Sequence, residues 1–180
     1  MAKTELFAQW MRGNLNVTDE GFSTGARFWV HSGTGTDATG YGSSPEAPFA
    51  TVDYAIGQCT ASKGDVIYVM PGHAETYTAT NGFDADVAGI RIQGLGWGDA
   101  RPTFTFDHAN AQVNIGANGV WIENVRFVAD ITAVVAAVQV EGKTDAIFRN
   151  CEWYWGGTTG DDMLIALELE AGSHRAIIEN

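Results

Sequence analysis

"NGVWIENVRF" (Asn118–Phe127) and "TDAIFRNCEW" (Thr144–Trp153) share one letter, the asparagine, yet they place the same kinds of residue at the same offsets. Count from Asn124 and Asn150 as position zero. Positions −4 and −2 are apolar (Val120 and Ile122; Ala146 and Phe148), −1 is charged (Glu123; Arg149), +1 is small and apolar (Val125; Cys151), and +3 is aromatic (Phe127; Trp153). The closing "RAIIEN" fits the same frame with Ala176, Ile178, Glu179 and Asn180. Upstream, "GIRIQGLGW" fits it with Ile90, Ile92, Gln93, Gly94, Leu95 and Trp97. The zero positions Gly94, Asn124, Asn150 and Asn180 are 30, 26 and 30 residues apart. Self-similarity at 20–50 residues is the signature of stacked repeats.

The segments between these repeats alternate with period two. Val113 and Ile115, Val138 and Val140, and Leu167 and Leu169 each share a face, with polar residues between them. Every stretch of 26–30 residues therefore carries two or three short strands, and a coil that returns to its start stacks on the next. In such a coil the −4 and −2 side chains point inward, and zero turns a corner between strands. Asn and Gly both tolerate left-handed backbone, so Gly94 is expected to replace Asn on that ground, and stacked asparagines can hydrogen-bond from rung to rung. The fold class expected is an all-β solenoid, residues 27–180, with an opening and cap module at 27–80 and repeated coils at 81–180.

The bulk numbers narrow the function. One hundred and eighty residues suit one domain, and 45% hydrophobic content is globular. A formal charge of −12 argues against nucleic acid and against an anionic membrane surface as partners. Cys59 and Cys151 stand alone, too few for a disulfide framework or a structural zinc site, and Cys151 reads as a small core residue. The N-terminus lacks the apolar run of a signal peptide, and no stretch is apolar enough to span a membrane.

Residues 1–26 form a leader distinct from the repeats. Leu6, Phe7, Trp10 and Met11 crowd into six residues, a short amphipathic helix or an extended arm on a neighbouring subunit. "RFWVH" from Arg27 reads as a strand, followed by a loop dense in Gly, Ser, Thr and Pro. Pro48 is expected to open a helix with Phe49, Val52, Ala55 and Ile56 on one face. Gly64-Asp65 then turns into an apolar strand, Val66 to Met70, stopped by Pro71-Gly72.

At this point the chain resembles right-handed parallel β-helix proteins of the pectate-lyase-like class. "SSPEAPFATVDYAIGQCTASKGDVIYVMPGHAETYT" (43–78) is similar to their opening module, in which a capping helix precedes a strand of the form GDxIYVxPG. Its wording looks like that of β-helix proteins among phage virion structural proteins. The resemblance implies a right-handed solenoid with an N-terminal capping helix and a short arm, and an oligomer, a homotrimer by the habit of the group. It also implies a virion protein assembled in the host cytoplasm, with other capsid or tail proteins as partners. Function is not carried by the fold, which hosts lyases, hydrolases, tailspikes and inert structural proteins.

Candidate chemistry is sparse. Gly160-Asp161-Asp162 matches one motif of β-helix polygalacturonases, whose paired carboxylates supply acid and base. The companion motifs are missing, and Gly-Asp-Asp is ordinary turn chemistry, so Asp161 and Asp162 are weak catalytic candidates. His73-Ala74-Glu75 shares H-x-E with zinc deaminases but lacks their cysteines and reads as a surface turn. Asp84 and Asp86, with Asp107 and His108, read as scattered loop groups rather than a metal site. No cofactor is expected. Trp153 fills the aromatic slot, so Tyr154 or Trp155 should be exposed, in a subunit interface, in core packing or stacked on glycan.

Asn180 falls at a zero position with no cap after it. Solenoids need covered ends, so either the coils continue in a longer chain or a partner covers the open rung. The expected function is a capsid decoration or cement-type virion protein rather than an enzyme. The alternative is a tailspike-like β-helix that binds or depolymerises surface glycans.

Overall fold

The computed structural model describes residues 16–18, 21–23, 25–157 and 160–180. Strands β1 (Asn16–Thr18) and β2 (Gly21–Ser23) form an antiparallel pair. Strand β3 (Arg27–Val30) and helix α1 (Val52–Ile56) precede four coils of three strands each. The first coil is β4 (Val66–Val69), β5 (Ala74–Tyr77) and β6 (Asn81–Asp84), and the second is β7 (Arg91–Gly94), β8 (Thr103–Phe106) and β9 (Gln112–Ile115). The third is β10 (Trp121–Glu123), β11 (Arg126–Ala129) and β12 (Val138–Val140), and the fourth is β13 (Ile147–Arg149), β14 (Glu152–Trp155) and β15 (Leu167–Leu169). Strand β16 (Ile177–Glu179) lies on β13.

Corresponding strands pair in parallel, giving three sheets: β3-β4-β7-β10-β13-β16, β5-β8-β11-β14 and β6-β9-β12-β15. The chain is a parallel β-solenoid. We call the β3 end lower and the β14–β16 end upper.

The register stacks like on like. In the first sheet Ile67, Ile92, Ile122, Phe148 and Ile178 form one inward column, the −2 positions of the repeat. In the second, Phe104, Phe127 and Trp153 align, with Phe104–Phe127 and Phe127–Trp153 ring centroids 6.0 and 5.7 Å apart. In the third, Val113, Val138 and Leu167 align, as do Ile115, Val140 and Leu169. Ile92, Ile122, Phe104, Phe127, Val113 and Val138 have no exposed surface. Full burial of a side chain of this size contributes about 1.5–3 kcal/mol before ordering entropy is charged.

The corners hold this register. Asn124 and Asn150 adopt φ of 53° and 50°, the left-handed region in which asparagine is tolerated. The Asn124 Nδ2 donates to the carbonyls of Gly94 and Gly96, 2.9 Å each, tying one coil to the one beneath. Gly94 belongs to this column for another reason than the one expected. Its φ is not positive; instead a Cβ there would lie 2.1 Å from the Asn124 carbonyl oxygen. Glycine is required by close backbone approach, not by handedness.

A second left-handed corner lies five residues before the first, at Gly89, Gly119, Asp145 and Arg175, with φ from 58° to 72°. Its backbone amides bond upward, Gly89 to Asn118, Gly119 to Thr144 and Asp145 to His174.

Two expectations change. Trp97 does not stack in the aromatic slot: the corner after Gly94 is lengthened by a 3₁₀ turn at Gly98–Ala100, Phe104 lies under Phe127, and Trp97 is 67% exposed. Pro48 does not open the helix. Thr51 is its N-cap, and Phe49 lies in extended chain bridged to Val30. The four apolar residues are nonetheless all buried, with α1 packed against β3, β4 and β6. Of the leader, the β1–β2 pair is described; Leu6, Phe7, Trp10 and Met11 lie outside the described residues.

Ile122→Ala, with Ile92 below and Phe148 above, is expected to cost about 2–5 kcal/mol in denaturant unfolding. At the left-handed corner Asn150→Gly should be nearly neutral and Asn150→Ala should cost about 1–2 kcal/mol; equal losses for both would refute the role assigned to the backbone there.

Candidate functional site

Asp161 and Asp162 sit in the loop between the second and third sheets, after Gly160 at φ 106°. Asp161 forms an antiparallel bridge with Thr132, and the Asp162 Oδ1 accepts the Ala133 amide at 2.9 Å. Ala133 itself is left-handed, φ 64°, so the carboxylate secures a strained turn in the loop below. That is a coil-to-coil tie, and the contact does not depend on proton transfer. Among the described residues no group of three His, Cys, Asp or Glu side chains is placed to hold a metal ion.

Tyr154 and Trp155 are 52% and 62% exposed, with rings nearly parallel at 7° and centroids 5.4 Å apart. Trp153 stands in register above Phe127 and continues its inward column; the Trp155 backbone stands in register above Ala129, with its ring laid against Tyr154. Leu169, Ile178 and Ile165 are also exposed, from 39% to 62%. Between Phe148, Cys151, Trp153, Ile178, Glu179 and Asn180 this upper end opens into a pocket of about 170 Å³.

The lower end is built differently, and the sequence reading missed it. His73 is not in a surface turn: it is 1% exposed, its ring 5.7 Å from Phe104. Its Nδ1 accepts the Ser32 amide at 3.0 Å, which places the proton on Nε2, donated to the Glu75 Oε1 at 2.9 Å. The same Oε1 accepts the Val52 amide at the start of α1, and Oε2 accepts the Tyr77 hydroxyl. Burial, then the Glu75 charge, pushes the Tyr77 hydroxyl well above its ordinary pKa. The Ser32 Oγ accepts the Ala74 amide, and both His73 ring nitrogens are engaged, by the Ser32 amide and by Glu75. Asp65, 2% exposed, similarly takes the amides of Ala26 and Thr60. These groups fasten the segment before the first coil to that coil. The sequence signal was the alternation His73, Glu75, Tyr77 on one face of a strand.

On the outer face of the first sheet, Trp121 lies between the guanidinium groups of Arg91 and Arg149, 4.1 and 4.7 Å from its ring centre. Arg91 pairs with Glu123 and Arg149 with Glu179. On the second, Arg101 and Arg126 share Glu152 at 3.0 and 2.8 Å. On the third, the Gln112 amide donates to Gln139, which in turn donates to Glu168 and Glu170. Both cysteines are unreactive by environment: burial raises Cys59 to about 12 and Cys151 to about 11.

Glu75→Ala should cost about 3 kcal/mol or more in urea unfolding, because three donors lose one carboxylate; Asp162→Ala, which strands a single exposed amide, should cost about 0.5–1.5 kcal/mol. A second check is electrostatic. The bidentate contact of Arg175, then the Thr144 hydroxyl, pulls Asp145 from 3.8 to about 2. Its folded-state pKa is depressed, so the contribution is fully present above the ordinary carboxylate value and is lost as pH falls through about 2. NMR titration of the Asp145 carboxyl should show Arg175→Ala moving it back toward 3.8 with little change in stability, both side chains being exposed.

No protein family, curated protein or solved structure matches the chain.

Proposed function

We propose that this chain is a structural component of a virion, a capsid decoration or cement-type β-helix that works as a homo-oligomer, by the habit of the group a trimer. The observation that supports the assembly part of the reading is the crowding of Leu6, Phe7, Trp10 and Met11 into six residues, more apolar surface than is left in water without a partner. Trp155, Leu164, Ile165, Leu169, Ile177 and Ile178 are each at least 39% exposed. Exposed large apolar side chains add to that demand. The virion part rests on the resemblance of residues 43–78 to phage β-helix proteins. Residues 1–26 are then contact-forming, with Leu6, Phe7, Trp10 and Met11 as the anchor.

A second reading is favoured by one observation. The stacked, exposed rings of Tyr154 and Trp155 offer flat apolar surface of the sort on which the C–H faces of sugars lie, so a tailspike-like glycan-binding or depolymerising β-helix is the alternative.

Purified chain is expected to co-sediment with particles that lack it, and a density map of the virion should place it on the head surface. Reducing-sugar release from host polysaccharide, abolished by changing Asp161 and Asp162 to Ala together, would replace the structural reading with the enzymatic one.

A further inference from the structure

We propose that the corner of the second coil, built around Trp97, is a binding site for an uncharged saccharide whose C–H face lies on the exposed indole. The inference rests on the glycan-binding reading above and adds to it a second place of contact and the charge class of the sugar.

The corner is an insertion. Between the first and second sheets the third and fourth coils use two residues, 124–125 and 150–151, whereas the second coil uses eight, 95–102. In stacked repeats such insertions gather on one face, often the binding face. The added loop is pinned from both sides. Gly72 of the coil below donates its amide to the Ala100 carbonyl at 2.8 Å. From the coil above, the Asn124 Nδ2 holds the Gly94 and Gly96 carbonyls, and the Arg126 Nη2 reaches the Gly98 carbonyl at 3.4 Å. Arg101 runs on to the Asn150 carbonyl of the fourth coil, 3.1 Å away. A loop fastened in this way is a rigid mount, and it presents Trp97 67% exposed. That exposure is a property of the corner itself, because coils lie both below and above it.

The groups a sugar needs stand around the ring with bonding capacity left. The Arg101 guanidinium backs the indole, 5.4 Å from the ring centre, and is itself held by Glu152. Among the described residues the Trp97 Nε1, the exposed Asp99 carboxylate two residues on, and the Arg126 Nη1 make no hydrogen bond. The corner therefore combines a flat apolar surface with a free acceptor and two free donors. A ring that is apolar on its face and carries hydroxyls at its edge satisfies all three.

Charge selects the class of sugar. The chain carries −12, so a polyanion such as a uronate polymer is repelled. A cationic ligand would meet the guanidinium groups of Arg101 and Arg126 beside the ring. A peptide added as a strand would need an open sheet edge, and here β7 and β8 are each paired on both sides. An uncharged saccharide meets none of these penalties.

The experiment is affinity electrophoresis of the full-length chain in native gels containing dextran, galactomannan or mixed-linkage β-glucan, with polygalacturonate as the acidic probe and circular dichroism as the check on folding. Trp97 is 67% exposed, so Trp97→Ala should keep its β-sheet signal. The unaltered chain should be retarded by at least one of the neutral polysaccharides and not by polygalacturonate, and Trp97→Ala should weaken that binding roughly ten-fold or more. Undiminished retardation of Trp97→Ala, or retardation by polygalacturonate as strong as by the neutral gels, would overturn the inference. If Tyr154→Ala/Trp155→Ala abolished a retardation that Trp97→Ala kept, this site would be refuted and the glycan reading would stand. An unaltered chain retarded by none of the gels would overturn the site and the glycan reading together.

Discussion

Parallel stacking in register is the constraint on which this molecule depends. Each inward side chain has a neighbour of its own column one strand spacing away, so Ile92 and Phe148 are to Ile122 what a facing sheet would be in a sandwich. A slip of one residue would exchange Ile122 for the half-exposed Trp121 and carry the whole column to the other face. In the third and fourth coils two corners prevent the slip, both in left-handed backbone, at residues 119 and 124 and again at 145 and 150. The corner residues are therefore more restricted than the core residues they align: a strand interior accepts any apolar side chain of suitable volume, whereas the corner accepts glycine, asparagine or a residue that bears the strain.

This difference decides what the sequence discloses. The asparagine column is legible because Asn124 and Asn150 recur where few residues are allowed, and the inward pattern is legible because a period of two survives in strands such as β7, β8, β9, β11 and β12. The companion corner at Gly89, Gly119, Asp145 and Arg175 is hidden, since four positions of one backbone conformation are filled by three residue types, the last two held by a bidentate ion pair. Gly94 shows the opposite case, one letter with two physical meanings: glycine was expected for its handedness and is needed for its missing Cβ. Trp97 misled because offset is counted along the chain while stacking is counted across strands, and a lengthened corner separates the two measures.

The buried polar network at the lower end was illegible for a related reason. His73 and Glu75 look like surface residues by type, and they are polar members of inward columns only because Ser32 and Val52 arrive from distant sequence to satisfy them. Hydrogen-bond complementarity over separations of 41 and 23 residues leaves no local pattern. Burying a carboxylate there is acceptable because three donors meet it, and leaving any one out would be expensive. The network gives the solenoid a polarity: the columns of the second sheet end in the first coil at Glu75 and Tyr77, beneath Phe104 and Phe106, so an apolar stack does not continue in that direction.

The charged and amide side chains of the lateral faces are largely paired with one another. Along the first two sheets, Arg91, Arg126, Arg149 and Arg101 are consumed by Glu123, Glu152 and Glu179, and along the third the glutamines bond to one another and to Glu168. Side chains paired within a ladder must give up one contact to make another, so recruiting them to a ligand returns little net free energy. The chain's net charge of −12 adds an acidic field to these paired flanks. The stacked pair Tyr154 and Trp155 stands outside these ladders, so a side-on ligand would meet the two rings without breaking an ion pair.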